Sequence, residues 1–290
     1  MTRKLWIALC NAPNNHPLFR RMHDRDQFND DRPQRHLAGW VSWVGVLALY
    51  ICAILWPALM NTPILIATLL LSGTVLGLIW ALDVSATIAS EQEFGTYDVL
   101  AISPPGPLGI CWTMSMACIH RNGAFRRLNE QHIWSIRLFL AVPLMIWFGI
   151  QLSPDYVRVA PFAPIAYAFA AVAALCLDHI QSAVLGVLVG VLSPTHTSRR
   201  FEAQLFALPV FLIIQIAAYL AAIIGTSVAL LVLREMNGII EPLVDVGAAF
   251  FGVAIIYVVR EVAIILLWRK LGERLNATTT ERDHMLRLAL

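Results

Sequence analysis

Residues 63–104 read PILIATLLLSGTVLGLIWALDVSATIASEQEFGTYDVLAISP. The stretch opens with about 20 mostly apolar residues, which is enough for one helix to cross a bilayer. It then becomes acidic at Glu91 and Glu93 and is interrupted at Gly95. Because glycine permits a sharp backbone turn, this pattern predicts a membrane span that continues into water, ends at Gly95 and is followed by a second short helix.

The composition of the whole chain is typical of an integral membrane protein. Of 290 residues, 58% are hydrophobic and 14% are charged, whereas soluble domains carry about 25% charged residues. The formal net charge of +2 gives no reason to expect a nucleic-acid partner. The five cysteines fall in apolar or predicted cytoplasmic segments, so we expect buried thiols rather than disulfides.

Six apolar stretches are long enough to span a bilayer. They cover residues 40–60, 63–83, 133–152, 161–186, 205–233 and 243–268. A shorter apolar stretch, residues 108–119, is predicted to form a re-entrant or interfacial helix. The predicted fold class is therefore all-α: an integral membrane domain of six transmembrane helices over residues 39–268, with an N-terminal arm (1–38), a coupling segment (84–132) and a tail (269–290).

Basic residues are concentrated on one side of the predicted bundle. The arm, the tail and the loops after the second and fourth spans hold most of them, whereas Arg158 and Arg234 lie on the other side. The positive-inside rule therefore predicts that both termini lie in the cytoplasm, and we expect a multi-pass protein of the cytoplasmic membrane. Because the outer loops are short, we expect partner proteins on the cytoplasmic side.

The N-terminal arm contains a candidate amphipathic helix. Leu18, Phe19 and Met22 can share one apolar face, with Arg21 and Arg25 on the opposite face. This arrangement suits a helix that lies on the inner leaflet of the membrane. A disordered basic tail is the alternative.

Charged residues inside the predicted spans are costly and are usually paired or functional. Arg260 and Glu261 are neighbours, about 100° apart around a helix, so they pair poorly with each other. We expect Arg260 to meet Asp178 or Asp83 across the bundle, with locking of the bundle favoured over substrate contact. The candidate polar or pathway residues are Asp83, Asp178, His179, Gln215, Arg260 and Glu261, with Tyr167, Tyr219 and Tyr257 as further candidates.

The segment from Glu91 to Pro104 resembles a sequence of ABC-2-type exporter permeases, E-x-E-x-G-T-x-x-x-L-x-x-S-P. In that family this segment forms the cytoplasmic coupling helix that docks on the ATPase subunit. The resemblance implies that the coupling residues here are Glu91, Glu93, Gly95, Thr96, Tyr97, Asp98 and Leu100. An ordinary acidic loop that keeps the end of a span soluble is the alternative.

Two further segments resemble the same family and follow in the family's order. Asn15, Pro17, Arg20 and Arg21 resemble its N-P-x-x-x-R-E entry before the first span. Residues 186–203 resemble its exit from the fourth span into a short basic turn. The resemblance implies a permease subunit of an ATP-driven exporter, which forms the translocation pathway and is not itself an enzyme.

ATP hydrolysis is not expected in this chain. A phosphate-binding Walker A loop requires Gly-Lys-Ser or Gly-Lys-Thr, but Lys4 and Lys270, the two lysines, are each followed by leucine. The resemblance implies that ATP and Mg belong to a separate ATPase subunit, that a second permease copy or paralogue completes the transporter, and that this chain holds no cofactor or metal. Short outer loops favour a hydrophobic or amphipathic substrate. The competing interpretation is a non-transporting scaffold subunit of a larger membrane complex.

Overall fold

The computed structural model describes residues 1–11, 16–24, 63–101, 106–121, 163–197, 199–235, 241–278 and 280–282, and the elements in these ranges are helices. In chain order they are α1 (Thr2–Cys10), α2 (Pro17–Asp24), α3 (Pro63–Glu93), α4 (Thr96–Ala101), α5 (Gly106–Arg121), α6 (Ala163–Leu192), a 3₁₀ turn (Ser193–Thr195), α7 (Arg200–Glu235) and α8 (Glu241–Arg274).

Four of these helices are long and apolar enough to cross a membrane. The qualifying segments are Gly73–Glu93 in α3, Phe169–Thr195 at α6, Arg200–Leu233 in α7 and Val246–Arg274 in α8. They correspond to the second, fourth, fifth and sixth predicted spans, and each helix ends two to ten residues beyond its predicted C-terminal limit. The first and third predicted spans, residues 40–60 and 133–152, lie outside the described residues. The described residues are therefore all-helical, and their four long apolar helices support a multi-pass membrane protein.

Helix α6 is the centre of the described bundle and packs against α3, α7 and α8. Its contact with α3 brings backbone against backbone: a Cβ atom on Gly186 would lie 2.2 Å from the Gly77 carbonyl oxygen, and one on Gly77 would lie 2.4 Å from the Ser182 carbonyl oxygen. Small residues one helical turn apart allow this close approach in membranes. The contributing residues are Gly73, Gly77 and Ala81 on α3 and Ser182, Gly186 and Gly190 on α6.

The described parts of the N-terminal arm pack onto the bundle. Helix α1 lies against α6 and buries Leu5 and Leu9, which are each 1% exposed. Helix α2 contains the predicted apolar face of Leu18, Phe19 and Met22, but it packs against α5 and all three side chains are buried. The prediction that this face contacts the inner leaflet is therefore wrong, because protein covers it.

Helix α5 contains the short apolar stretch of residues 108–119. Every residue of that stretch is buried in the protein, and α5 packs against both α2 and α3. It is not among the described helices that are long enough to span a membrane. Helix α5 also packs against α4, the short helix that follows α3 in the chain.

Candidate functional site

A buried ion pair lies midway along α6. The Nη1 atom of Arg260 in α8 lies 2.7 Å from the Oδ1 atom of Asp178 in α6, and the two side chains are 0% and 6% exposed. The sequence offered Asp178 and Asp83 as partners for Arg260, and the structure selects Asp178. Since moving each charge out of water costs several kcal/mol, such a pair requires further hydrogen bonds to be maintained.

Three hydroxyl groups supply those hydrogen bonds to the Asp178 Oδ1 atom. Tyr219 donates from 3.0 Å, Thr74 from 3.3 Å and Ser182 from 3.4 Å. The Arg260 guanidinium also lies over the Tyr219 ring, 5.1 Å from its centroid, which adds a cation–π contact. The Asp178 carboxylate therefore joins α3, α6, α7 and α8 at one point.

Gln215 of α7 extends this polar cluster, and Gln181 of α6 makes a separate polar contact with α8. Gln215 Nε2 donates to Ser182 Oγ at 3.0 Å, and Gln181 Nε2 donates to the backbone carbonyl of Tyr257 at 3.1 Å. Of the predicted pathway tyrosines, Tyr219 belongs to the cluster through its hydroxyl, whereas Tyr257 contacts Gln181 through its backbone. The side chain of Tyr167 lies outside the described residues.

A cavity of about 440 Å³ begins at this cluster and lies between α6, α7 and α8. Its floor is formed by Asp178, Tyr219 and Arg260. The walls are mainly small or aliphatic and include Leu177, Ala222, Ile223, Ala248, Val253 and Ile256. This volume is in the range of small-molecule sites, which are mostly apolar with a few polar groups that orient the ligand.

A second candidate site is the turn between α3 and α4. Helix α3 ends at Glu93, Gly95 has a φ of +71°, and α4 begins at Thr96. A Cβ atom on Gly95 would meet nothing within 4 Å, so glycine is needed there for its backbone conformation rather than for space. The predicted helix–glycine–helix element is therefore confirmed.

The predicted coupling residues lie on two different faces of this turn. Glu93 and Asp98 are exposed, as are the large apolar side chains of Phe94 (71%) and Val99 (74%). Glu91 is instead buried, at 3% exposure. The expectation that Glu91 carries the helix into water is therefore wrong in this structure, and the outward carboxylates belong to Glu93 and Asp98.

The inward face of the turn fixes α4 in place. The Thr96 hydroxyl donates to the Glu91 backbone carbonyl at 3.1 Å and also to the Glu91 carboxylate. These bonds connect the start of α4 to the end of α3. The Tyr97 hydroxyl and the Cys111 thiol of α5 share a hydrogen bond at 3.3 Å. Leu100 packs against the main hydrophobic cluster. Helix α4 is thus held by both α3 and α5.

Burial shapes the chemistry of the Tyr97–Cys111 contact. Burial raises the pKa of Cys111 to about 11, although the hydrogen bond from Tyr97 partly offsets this rise. The pKa of Tyr97 is also raised, chiefly by burial. Both groups are therefore neutral at physiological pH, and Cys111 lacks the thiolate character of a reactive cysteine.

Two of the predicted pathway residues contact helix α1 instead of the cavity. The His179 ring lies edge-on to Trp6 and Trp80, with ring centroids 5.8 and 6.0 Å apart. Glu261 accepts hydrogen bonds from the Thr2 backbone N–H at 3.2 Å and from the Thr2 hydroxyl, and it also pairs with the amino group of Met1. These contacts anchor α1 to α6 and α8.

Asp83 is not brought to the polar cluster. It is half-buried and lies nine residues beyond Thr74 on α3, which corresponds to about 13 Å along the helix. The structure thus joins Asp178, Gln215 and Arg260 of the predicted set and leaves Asp83, His179 and Glu261 elsewhere.

Sequence reasoning missed Thr74 and Ser182 as partners of Asp178, and it missed the burial of α1. For the two hydroxyl residues a signal was present: Thr74 follows Gly73, and Ser182 begins the Ser-x-x-x-Gly-x-x-x-Gly spacing of α6. Small residues at this spacing indicate that two helices approach closely, and polar side chains beside them are then brought together. For α1 no comparable signal exists, because its apolar run is short.

Comparison with protein-family models, curated proteins and solved structures finds no match for this chain. Within the described ranges, no group of three His, Cys, Asp or Glu side chains is arranged to hold a metal ion. Cys10, Cys111, Cys118 and Cys176 form no disulfide, while Cys52 lies outside the described residues. Function must therefore be inferred from the cavity, the polar cluster and the α3–α4 turn.

Proposed function

We propose that this chain is the permease subunit of an ABC-2-type exporter and that the α3–α4 turn is its coupling element. The observation that carries the proposal is the exposed face of Glu93, Phe94, Asp98 and Val99 on a turn that is braced from inside. Carboxylates next to large apolar side chains suit a groove of a partner protein, because exposed clusters of this kind mark interaction sites.

The bracing of the turn supports a role in transmitting motion. Because Thr96 is bonded to Glu91 and Tyr97 to Cys111, a force on α4 acts on α3 and α5 together. Helix α3 in turn contacts α6 along the glycine seam, and α6 lines the cavity. A continuous packed route therefore leads from the exposed turn to the cavity floor.

In this proposal ATP and Mg are bound by a separate ATPase subunit. The complete transporter contains a second copy of the permease or a paralogue, and six spans per chain place both termini on the cytoplasmic side of the cell membrane. The substrate passes through the membrane part, where apolar walls suit a hydrophobic or amphipathic molecule. In the competing interpretation, the chain is a scaffold subunit that binds partner proteins and transports no substrate.

Affinity purification of the full chain in mild detergent tests the docking face. We expect an ATPase with a Walker A sequence to copurify with the wild type and to be lost with Glu93→Arg, which reverses the charge, and with Gly95→Trp, which strains the turn. Glu235→Arg is the matched charge control, because Glu235 is an exposed glutamate at the C-terminal end of α7 and is not part of the α3–α4 turn. Gly247→Trp is the matched glycine control, since Gly247 also has open space around it.

The outcome separates the two functions. A complex that retains its ATPase in both turn variants would reject α4 as the docking site. A stable complex that contains no ATPase would reject the permease and favour the scaffold subunit.

A further inference from the structure

The cavity floor contains hydrogen-bond donors that the polar cluster leaves unused. Arginine carries five N–H donors, and Arg260 directs its Nη1 atom at Asp178. All three guanidinium nitrogens are buried and none meets hydrogen-bond geometry with a described residue, but Nε and Nη2, unlike Nη1, are also not in the ion pair with Asp178. These two atoms form one edge of the guanidinium group, which is suited to grip an acceptor with two N–H groups.

The charge of the floor restricts the kind of acceptor that fits. The Asp178 carboxylate already balances the Arg260 guanidinium, so the pair is neutral as a unit. An anionic ligand would leave one uncompensated negative charge in an apolar part of a membrane protein, which is costly. A cationic ligand would offer no acceptor and would be repelled by the guanidinium. An uncharged acceptor leaves the balance intact.

The walls specify the rest of the ligand. Above the floor the cavity is lined mainly by aliphatic and small side chains of α6, α7 and α8. Its rim includes Ile223, which is 63% exposed on a helix long enough to span a membrane. A hydrocarbon chain that enters from the bilayer can therefore lie in the cavity without meeting a charged wall.

We propose that this cavity binds an uncharged amphiphile of the ester or ketone class. Its carbonyl oxygen accepts hydrogen bonds from Arg260 Nε and Nη2, and its hydrocarbon chain lies along the walls. The Arg260 side chain is fully covered in this structure, and the Tyr219 ring lies over its guanidinium, so binding requires side chains at the cavity floor to move aside. The site is separate from the α3–α4 turn, so it stands whether or not the chain couples to an ATPase.

Thermal unfolding of the purified full chain, titrated with three probes of similar chain length, tests this proposal without any ATPase present. The probes are methyl octanoate, sodium octanoate and decane, in the same detergent. A ligand that binds the folded state raises Tm in a concentration-dependent way. We expect methyl octanoate to give the largest rise in Tm and the lowest apparent Kd.

Three variants locate the binding. Ala222→Phe fills the cavity and should weaken methyl octanoate about tenfold or more, because the cavity no longer holds the chain. Arg260→Lys keeps a positive charge beside Asp178 but lacks the Nε–Nη2 edge, so it should also weaken this probe about tenfold while decane binding is unchanged. Ala254→Phe is the control, since Ala254 is exposed on α8.

Each contrary result overturns a defined part of the proposal. Equal rises in Tm with methyl octanoate and with decane would show that Arg260 does not recognise the head group. A larger shift from octanoate would show that the site takes an anion. An unchanged Kd in Ala222→Phe would show that the probes bind elsewhere. If that variant does not fold, the comparison of the three probes in the wild type and in Arg260→Lys still tests whether Arg260 recognises the carbonyl group.

Discussion

The two faces of α6 differ sharply in how they are packed. Towards α3, Gly186 lies so close to Gly77 that a single added carbon would fall 2.2 Å from a backbone oxygen. Towards α7 and α8, the same helix borders a cavity of about 440 Å³. Because the cavity is open at the surface beside Ile223 and most of its walls are apolar, it marks the part of the bundle that is able to bind a ligand.

The comparison divides the described molecule into a rigid part and an adaptable part. At Gly77 and Gly186 the backbones of α3 and α6 are in contact with no side-chain atoms between them. Neither helix can therefore shift unless the two helices move apart. The α7–α8 side contacts its neighbours through side chains that can change rotamer. The ion pair of Asp178 and Arg260 is the link between the two parts, which is why the largest effects are expected there.

Breaking the link should have the largest effect on stability. Arg260→Met leaves the Asp178 carboxylate buried without its charge partner, and such changes cost about 3–5 kcal/mol. The double variant Arg260→Met with Asp178→Leu removes both charges and should recover a large part of this loss. The free energy of unfolding in mixed detergent–SDS micelles measures both. A double variant no more stable than Arg260→Met alone would show that the buried charge is not the cause.

A glycine pair on opposite sides of the bundle should separate the rigid and adaptable parts. In Gly186→Ala the new methyl group meets the Gly77 backbone, which cannot yield, so we expect a loss of about 3 kcal/mol. In Gly225→Ala it meets the end of the Ile255 side chain at 2.3 Å, which can rotate at a cost of about 1 kcal/mol. The same unfolding assay measures both, with Gly247→Ala as the unobstructed control. Similar losses at Gly186 and Gly225 would contradict the division.

An alanine pair provides a gentler form of the same comparison. Ala183→Leu adds volume at a fully buried position of α6 and should destabilise by about 1–3 kcal/mol through overpacking. Ala222→Leu adds the same volume next to the cavity and should change the free energy of unfolding by less than about 1 kcal/mol, because space is present. A loss at Ala222 equal to the loss at Ala183 would mean that the cavity does not accept side chains.

The smallest effect at neutral pH is expected at the Tyr97–Cys111 contact, which lies outside both parts. The folded pKa of Cys111, about 11, lies above its ordinary value of 9.0, so the unfolded chain loses this proton first as pH rises. Stability should therefore fall between pH 9 and 11, with a limiting slope of about 1.4 kcal/mol per pH unit. Cys111→Ala should reduce this slope and change stability at pH 7 by about 1 kcal/mol. Cys10→Ala is the control and should keep the wild-type slope; an equal loss of slope in both variants would refute the assignment to Cys111.

Local sequence patterns were sufficient where the determinant is local. Gly95 between an acidic helix end and Thr96 predicts the α3–α4 turn, because the left-handed conformation depends on that residue alone. The pairing of Arg260 with a carboxylate follows from the cost of an unpaired charge in a span. The choice of Asp178 over Asp83 does not follow, since it depends on the register between α6 and α8.

Features that depend on tertiary packing were missed. Glu91 and Glu93 look alike in the sequence, yet their two-residue offset, about 200° around the helix, places Glu91 against Thr96 and leaves Glu93 exposed. The apolar face of α2 was expected to contact lipid. The same sequence pattern results whether a membrane or another helix, here α5, covers such a face. The burial of Leu5 and Leu9 was likewise invisible, because α1 is too short to indicate its neighbours.

Photo-crosslinking from position 94 is the most direct test of the proposed coupling role. A photoreactive phenylalanine analogue replaces Phe94, which is 71% exposed on the turn, and in a second sample replaces Phe250, which is 43% exposed on α8. We expect the position 94 adduct in cells to contain a protein with a Walker A sequence, and the position 250 sample to lack it. An adduct at position 94 with a protein that is not an ATPase, or the same adduct from both positions, would contradict the assignment of the α3–α4 turn as the ATPase-docking element.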